Sequence, residues 1–400
     1  MVRHASRFAF AAILLGFALS HAAGRPDDTD DKDPIYSGMK ASEWVKMLIE
    51  DKSARQRALA IDALSKLWAD KRHKEGLSTI GRALRVDPSV AVRAQAALAL
   101  GSLKDGDVKE GYAVEDLITS MGLEKESRVR KEIARAIGRY KDVPRLAIVQ
   151  LTGALKDPDP ATRVAVAEAL TQAGKDAKSA AAGLAPFLAD PDKSVRLAGV
   201  VALGRIAPEG ASAIAETMAK MLATERDLDI KLELVTSLGL LAEKSPSVVA
   251  ALAARLAEPE DDLRGLAART LGVFGVASAP AAETLLNLAR TDKSKDIRVD
   301  AVHGFGSALG PNLKDRIKDV ISFLKDPEFE VRLAAVNEIG ALGNALINDK
   351  ETIKTLRTLQ SDSHVKVREA VGTAIKQIEK KPEVKKEPEP KKDPEPKKEP

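Results

Sequence analysis

Ten times along this chain an acidic residue is followed, six positions later, by a basic one. The bases are Arg57, Arg93, Arg130, Arg163, Arg196, Lys231, Arg264, Arg298, Arg332 and Arg368. The acids are Asp51, Asp87, Glu124, Asp157, Asp190, Glu225, Glu258, Asp292, Asp326 and Asp362. Successive bases lie 33 to 37 residues apart. A pairing that recurs ten times at one spacing is not an accident of composition. It marks an array of stacked units with a period near 34 residues, each burying its apolar face against the next.

Other columns keep the same frame. Seven residues after the base stand Leu64, Leu100, Ile137, Leu170, Leu203, Leu238, Leu271, Phe305, Ile339 and Ile375, all apolar. The next position is glycine in seven units, from Gly101 to Gly340, and reads as a helix exit. Four residues before the base, Ser53, Ser89, Asp159, Asp192, Asp227 and Ser294 are expected helix N-caps, because their oxygens can accept the free N–H groups of a first turn. Prolines 88, 158, 191, 259 and 327 stop the preceding helix. Each unit therefore reads as helix A, a turn holding the acid, and helix B holding the base. In the stretch 190–208, helix A falls within 179–189 and helix B runs from about Lys193 to Ile206. Ala198, Gly199 and Ala202 permit close helix approach, and Val195, Val200 and Leu203 form the apolar stripe. Aromatics are only 3% while hydrophobic residues are 44%, which suits thin layers of close-packed helices better than a sheet core. The fold class is all-α, with about ten helix pairs over 38–380.

The columns resemble the HEAT repeat, in the short bacterial form grouped with phycobilisome-lyase-like repeats. The resemblance rests on Asp-Pro, Val-Arg and a following Leu-Gly or Ile-Gly, as in "DPSVAVRAQAALALG" (87–101) and "DPEFEVRLAAVNEIG" (326–340). It implies a right-handed α-α superhelix in which the ten acid–base pairs form a structural ladder. It also implies B helices on the concave face. The family is shared by many interaction proteins and a few enzymes, so the resemblance speaks to fold more than to function.

The ends differ from the array. Arg3 and Arg7 precede an apolar run, Phe8 to Leu19, and Ser20-His21-Ala22 offers a cleavage site after Ala22. Residues 1–22 read as a signal peptide and the chain as exported, periplasmic or extracellular; an uncleaved anchor is the alternative. No other stretch reads as apolar enough to span a bilayer, so no integral span is expected after cleavage. Residues 23–37 read as an acidic flexible leader. Trp44 and Trp68, the only two tryptophans, fall in the first unit and are expected to cap its open end. Residues 381–400 alternate Lys, Glu and Pro with one apolar residue, Val384, and read as a disordered tail. There is no cysteine, which excludes disulfides and thiolate chemistry. The net charge of +4 makes no electrostatic case for nucleic acid.

Candidates for chemistry are few. The histidines beyond the signal, His73, His303 and His364, lie in different units with no sequence-local His or Glu partner, so no metal and no cofactor is expected. The repeated His-Glu pairs of the HEAT-type deoxyhypusine hydroxylases are absent. "KDGDVKEG" (104–111) is better read as a long turn than as a metal loop. Ten equivalent acid–base pairs serve a stack, whereas catalysis needs one special site. What remains is the column five residues after the base, where Arg135, Glu168, Arg269, His303 and Asn337 are the candidate partner surface. The expectation is a non-catalytic, monomeric scaffold that binds a protein partner of unknown identity. The alternatives are a HEAT-type lyase- or hydroxylase-like enzyme or cofactor binder, and a spacer of the cell envelope.

Overall fold

The computed structural model describes residues 33–71, 73–103, 112–206 and 211–380. The signal peptide, leader residues 23–32, the 104–111 turn and the 381–400 tail lie outside these. Each acid–base unit is a helix pair, as its spacing predicts. Repeat 1 pairs Ala41–Glu50 with Ala54–Lys71, and repeat 2 pairs Lys74–Val86 with Val90–Leu100. The series continues to repeat 10, Lys350–Thr358 with Val365–Glu379. Every B helix packs on the B helix of the next repeat, and A helices pack on A helices beside them. The result is a two-layer stack with one continuous apolar core between the layers. Leu64, Leu100, Ile137, Leu170, Leu203, Leu238, Leu271, Phe305 and Ile339 are at most 1% exposed, and Ile375, in the last repeat, is 8%.

The array opens on a feature that an alternation of helices does not announce. Ile35–Tyr36 and Met39–Lys40 form an antiparallel hairpin closed by Ser37 and Gly38, both at positive φ as a two-residue turn requires. The hairpin packs on both helices of repeat 1. The Trp44 indole Nε1 donates to the Tyr36 carbonyl at 3.1 Å, and Trp44 and Trp68 are both buried. The ordered body thus extends five residues into the stretch read as flexible leader, because strand pairing ties those residues down.

Proline acts on helix A of repeat 5. The expected helix over 179–189 is split into the 3-10 segment Gly174–Ala180, the α-turn Ala181–Leu184 and the 3-10 segment Ala185–Ala189. Pro186 has no N–H to close an α-helical bond there. Helix B runs Lys193–Ile206, as read.

The glycine column ends its B helix at Gly101 and Gly138, as read, but from repeat 5 onward it lies inside the helix. These glycines lie on the B-helix side facing the next repeat. A Cβ on Gly101 would stand 2.5 Å from the Ala136 backbone, and one on Gly138 would stand 3.0 Å from that of Ala169. In repeats 4 and 6–9 the exit comes three or four residues after the column position, at positive φ: Gly174, Ala242, Gly275, Gly310 and Gly343. One further reading changes. The helical run 261–291 is long and apolar enough to cross a membrane. It is the B helix of repeat 7 turning at Gly275 into repeat 8, with Leu263, Leu271 and Phe274 buried in the stack.

Candidate functional site

The ladder accounts for most of the buried charge. Each base reaches forward to the acid of the next repeat. Arg57 Nε and Nη2 donate to Asp87 at 2.7 and 2.8 Å, and Arg332 repeats this fork on Asp362 at 2.8 and 2.9 Å. Arg93–Glu124, Arg130–Asp157, Arg163–Asp190, Arg196–Glu225, Lys231–Glu258, Arg264–Asp292 and Arg298–Asp326 complete nine rungs. Within its own repeat an arginine meets not the carboxylate but the backbone carbonyl of the acid position, as Arg196 Nη1 does at Asp190 O, 3.1 Å. The carboxylate also closes its own turn: Asp190 accepts from Asp192 N at 2.9 Å and Asp87 from Ser89 N at 2.8 Å. One side chain thus fixes the turn and the spacing between repeats.

Electrostatics follow from this geometry. Burial would raise the Glu124 and Asp292 carboxyls, but hydrogen bonds from Arg93 and Arg264 and from backbone N–H groups outweigh it and hold both below the ordinary range. The Arg332 hydrogen bonds hold Asp362 down in the same way. The single lysine rung is weaker, with one contact at 3.2 Å from Lys231 Nζ to Glu258. Arg255 supplies a guanidinium beside it, 3.2 Å from Glu258 and bonded to the Leu222 carbonyl at 2.6 Å.

The ladder ends show the direction of pairing. The Asp51 carboxylate accepts from Ser53 N and meets no base among the described residues. Arg368 bonds the Asp362 and Ser363 carbonyls and no described carboxylate. Of the expected N-caps, Asp159, Asp192 and Asp227 bond the first turn of their helices. Ser89 and Ser294 occupy the cap position without such a bond, for which the structure shows no reason.

The grooves along the turn edge belong to the ladder too. One of about 300 Å³ is lined by Leu48, Ile49, Arg82 and Val86, with the engaged Arg57–Asp87 pair among its walls.

The outward column of the B layer is open. Arg135, Glu168, Arg269 and Asn337 are exposed and His303 is half-buried. The structure joins three of these repeats across the surface. Arg269 Nη1 donates to Asp300 at 2.5 Å, and His303 Nδ1 lies 2.7 Å from Glu338 Oε1. The hydrogen bond to the Glu338 carboxylate raises the His303 pKa against burial, with Asp300 adding to the pull. A carboxylate–histidine cluster that a search for local spacing misses is therefore present, because its members are 35 residues apart and adjacent only through the stack. Among the described residues, no three His, Asp or Glu side chains are grouped to hold a metal ion. Arg135 pairs only locally with Glu132, at 3.1 Å. Glu168 makes no ion pair with a described residue.

Comparison with known proteins agrees with this architecture. A model of HEAT repeats matches residues 41–138, 148–239 and 317–387. No curated protein matches. Among solved structures, importin beta in an ammonium sulfate condition is similar at 16% identity and TM-score 0.54, covering 84% of this chain and 51% of that one. Importin beta in a polyethylene glycol condition gives 15% identity and TM-score 0.56, covering 84% and 53%. A structure of Kap95p, described as inducing the switch loops of RanGDP to adopt the GTP-bound conformation, gives 14% identity and TM-score 0.53, covering 85% and 51%. The chain spans about half the length of these structures. At such identities the likeness is one of fold.

Proposed function

Because the chain belongs to the HEAT-repeat family, we propose that it is an exported, non-catalytic scaffold that binds a protein partner on the face lined by its B helices. One observation carries the reading. The ladder charges are engaged with one another, whereas all ten residues of the column five after the base are exposed or half-exposed. An array that engages its buried charge in stacking and leaves the outward side of its B helices open has the organisation of a binding surface. Kap95p, which shares the fold, binds RanGDP. In a HEAT solenoid this layer is concave, which suits it to wrap a partner.

Site-specific photo-crosslinking in the native cell tests the proposal. A crosslinker replacing Arg135 or Asn337 on the B layer is expected to trap a discrete protein. One replacing Leu146, exposed on the A layer, is expected to trap none. Equal yields from both layers, or no adduct from either, overturn the reading. Export is tested by N-terminal sequencing of the envelope-fraction protein, which is expected to start at Ala23; a chain starting at Met1 argues against cleavage.

A further inference from the structure

The open face is electrically divided along the stack. Positions two before, two after, five after and nine after the base follow helical spacing and line one side of each B helix. In repeats 1–5 these positions hold six bases, Arg55, Lys66, Arg128, Arg135, Arg139 and Arg205, against three acids, Asp62, Glu132 and Glu168. In repeats 6–9 the balance reverses. Six acids, Asp229, Glu233, Asp262, Asp296, Asp300 and Glu330, stand against Arg269 and His303. Repeat 10 adds only Lys366. Every one of these charged groups is exposed or half-exposed.

Some of this charge is cancelled on the surface itself. Arg269 binds Asp300, Lys295 binds Glu330 at 2.5 Å, and Arg135 binds Glu132. Lys193 also stands 3.8 Å from Asp229. Arg55, Arg128 and Arg139 on one half, and Asp262 and Asp296 on the other, make no ion pair with any described residue. The unspent charge is thus positive in one half and negative in the other.

We propose that the B-helix face is self-complementary and associates with a second copy of this chain. Two concave faces meet towards their ends, so copies placed face to face with opposite stack directions bring the basic end of each against the acidic end of the other. A two-fold axis between the copies makes both contacts at once, as an isologous interface requires. This rests on the scaffold reading and names the partner, and it departs from the monomer expected from sequence. The charged groups are solvated and individually weak, so the association is expected to be salt-sensitive and in exchange with monomer. Its specificity lies in the sign pattern, since a parallel arrangement would oppose like charges.

The test uses the full chain in analytical ultracentrifugation, with two charge-reversal variants. Arg128→Glu with Arg139→Glu makes both halves acidic. Asp262→Lys with Asp296→Lys turns the two unpaired acids of the acidic half into bases. All four residues are exposed and outside the ladder, and circular dichroism confirms folding. At an ionic strength of about 0.02 M the native chain is expected to show concentration-dependent dimer, lost at about 0.5 M as the screening length shortens. Each variant alone is expected to remain monomeric, and an equimolar mixture of the two to recover dimer. A native chain that stays monomeric at low salt overturns the proposal, as does a mixture that behaves as its separate components. Either failure leaves the scaffold reading standing if B-layer crosslinking traps a different protein. An absence of adducts from either layer sinks the scaffold reading itself.

Discussion

Arg57 and Arg368 are the same residue of the repeat in different surroundings. Arg57 is 8% exposed overall and grips Asp87 through two charge-assisted bonds. Removing it strands a buried carboxylate, so Arg57→Ala is expected to cost about 3–5 kcal/mol. Arg368 is exposed and bonds only carbonyls. Arg368→Ala is expected to cost less than about 1 kcal/mol. Denaturant melts of both variants measure the difference, and equal losses would show that the rung is not what holds repeats 1 and 2 together. His303 gives a second prediction. Its pKa is raised by Glu338, so the stabilisation from the charged imidazole is present below the ordinary histidine value of about 6.5 and is lost as pH rises through the folded value. The Tm advantage of the native chain over His303→Gln is expected to shrink between about pH 6 and pH 9. An advantage that holds constant over that range would mean that the His303–Glu338 contact does not depend on charge.

At the scale of the helices, glycines that look alike in sequence have opposite roles. A Cβ on Gly101 meets the Ala136 backbone at 2.5 Å, which cannot yield as a flexible side chain could. Gly101→Ala is expected to lose about 1–3 kcal/mol. Gly372, inside the last B helix, has nothing within 4 Å of its Cβ position. Gly372→Ala is expected to gain up to about 1 kcal/mol from helix propensity. The two melts should move in opposite directions. Ala242, at φ 54, occupies the exit position that glycine fills in repeats 4, 7, 8 and 9. Relief of that strain makes Ala242→Gly stabilising by about 1 kcal/mol. These cases show where sequence reading stops. The acid–base spacing was legible because it is chemical and strictly periodic, and it carried the helix boundaries with it. The glycine column recurs in seven of the ten units, but its cause lies in the neighbouring repeat, so periodicity alone does not separate a close packing contact from a turn. The hairpin at 35–40 was missed because two-residue strands carry no alternation to detect. His303 was picked out as a surface residue, yet its partner Glu338 was invisible until the stack set the two side by side.

The whole molecule couples these parts in one dimension. Each B helix leans on its neighbours in the stack, and a rung crosses every B–B interface from repeat 1 to repeat 10. The carboxylates Glu124, Glu225, Asp292 and Asp362 all titrate below their ordinary ranges, held there by arginine and backbone N–H groups against the opposing effect of burial. A group whose folded pKa is depressed contributes stability that is fully present above its unfolded value, near 4, and is lost as pH falls through the folded value. The four rungs that hold these carboxylates are expected to fail as pH falls below about 4. Their loss frees four of the B–B interfaces, spread along the stack, and the array should then unfold along its length. Circular dichroism followed from pH 6 downward should therefore show a flat helical signal that falls steeply below about pH 4. Asp362→Asn removes the charge from the last rung alone. It is expected to make the signal at neutral pH slightly less stable to heat while leaving the midpoint of the acid transition nearly in place, because Glu124, Glu225 and Asp292 still set it. A transition centred well above pH 4, or one displaced by a full unit in Asp362→Asn, would mean that something other than the distributed ladder governs acid stability.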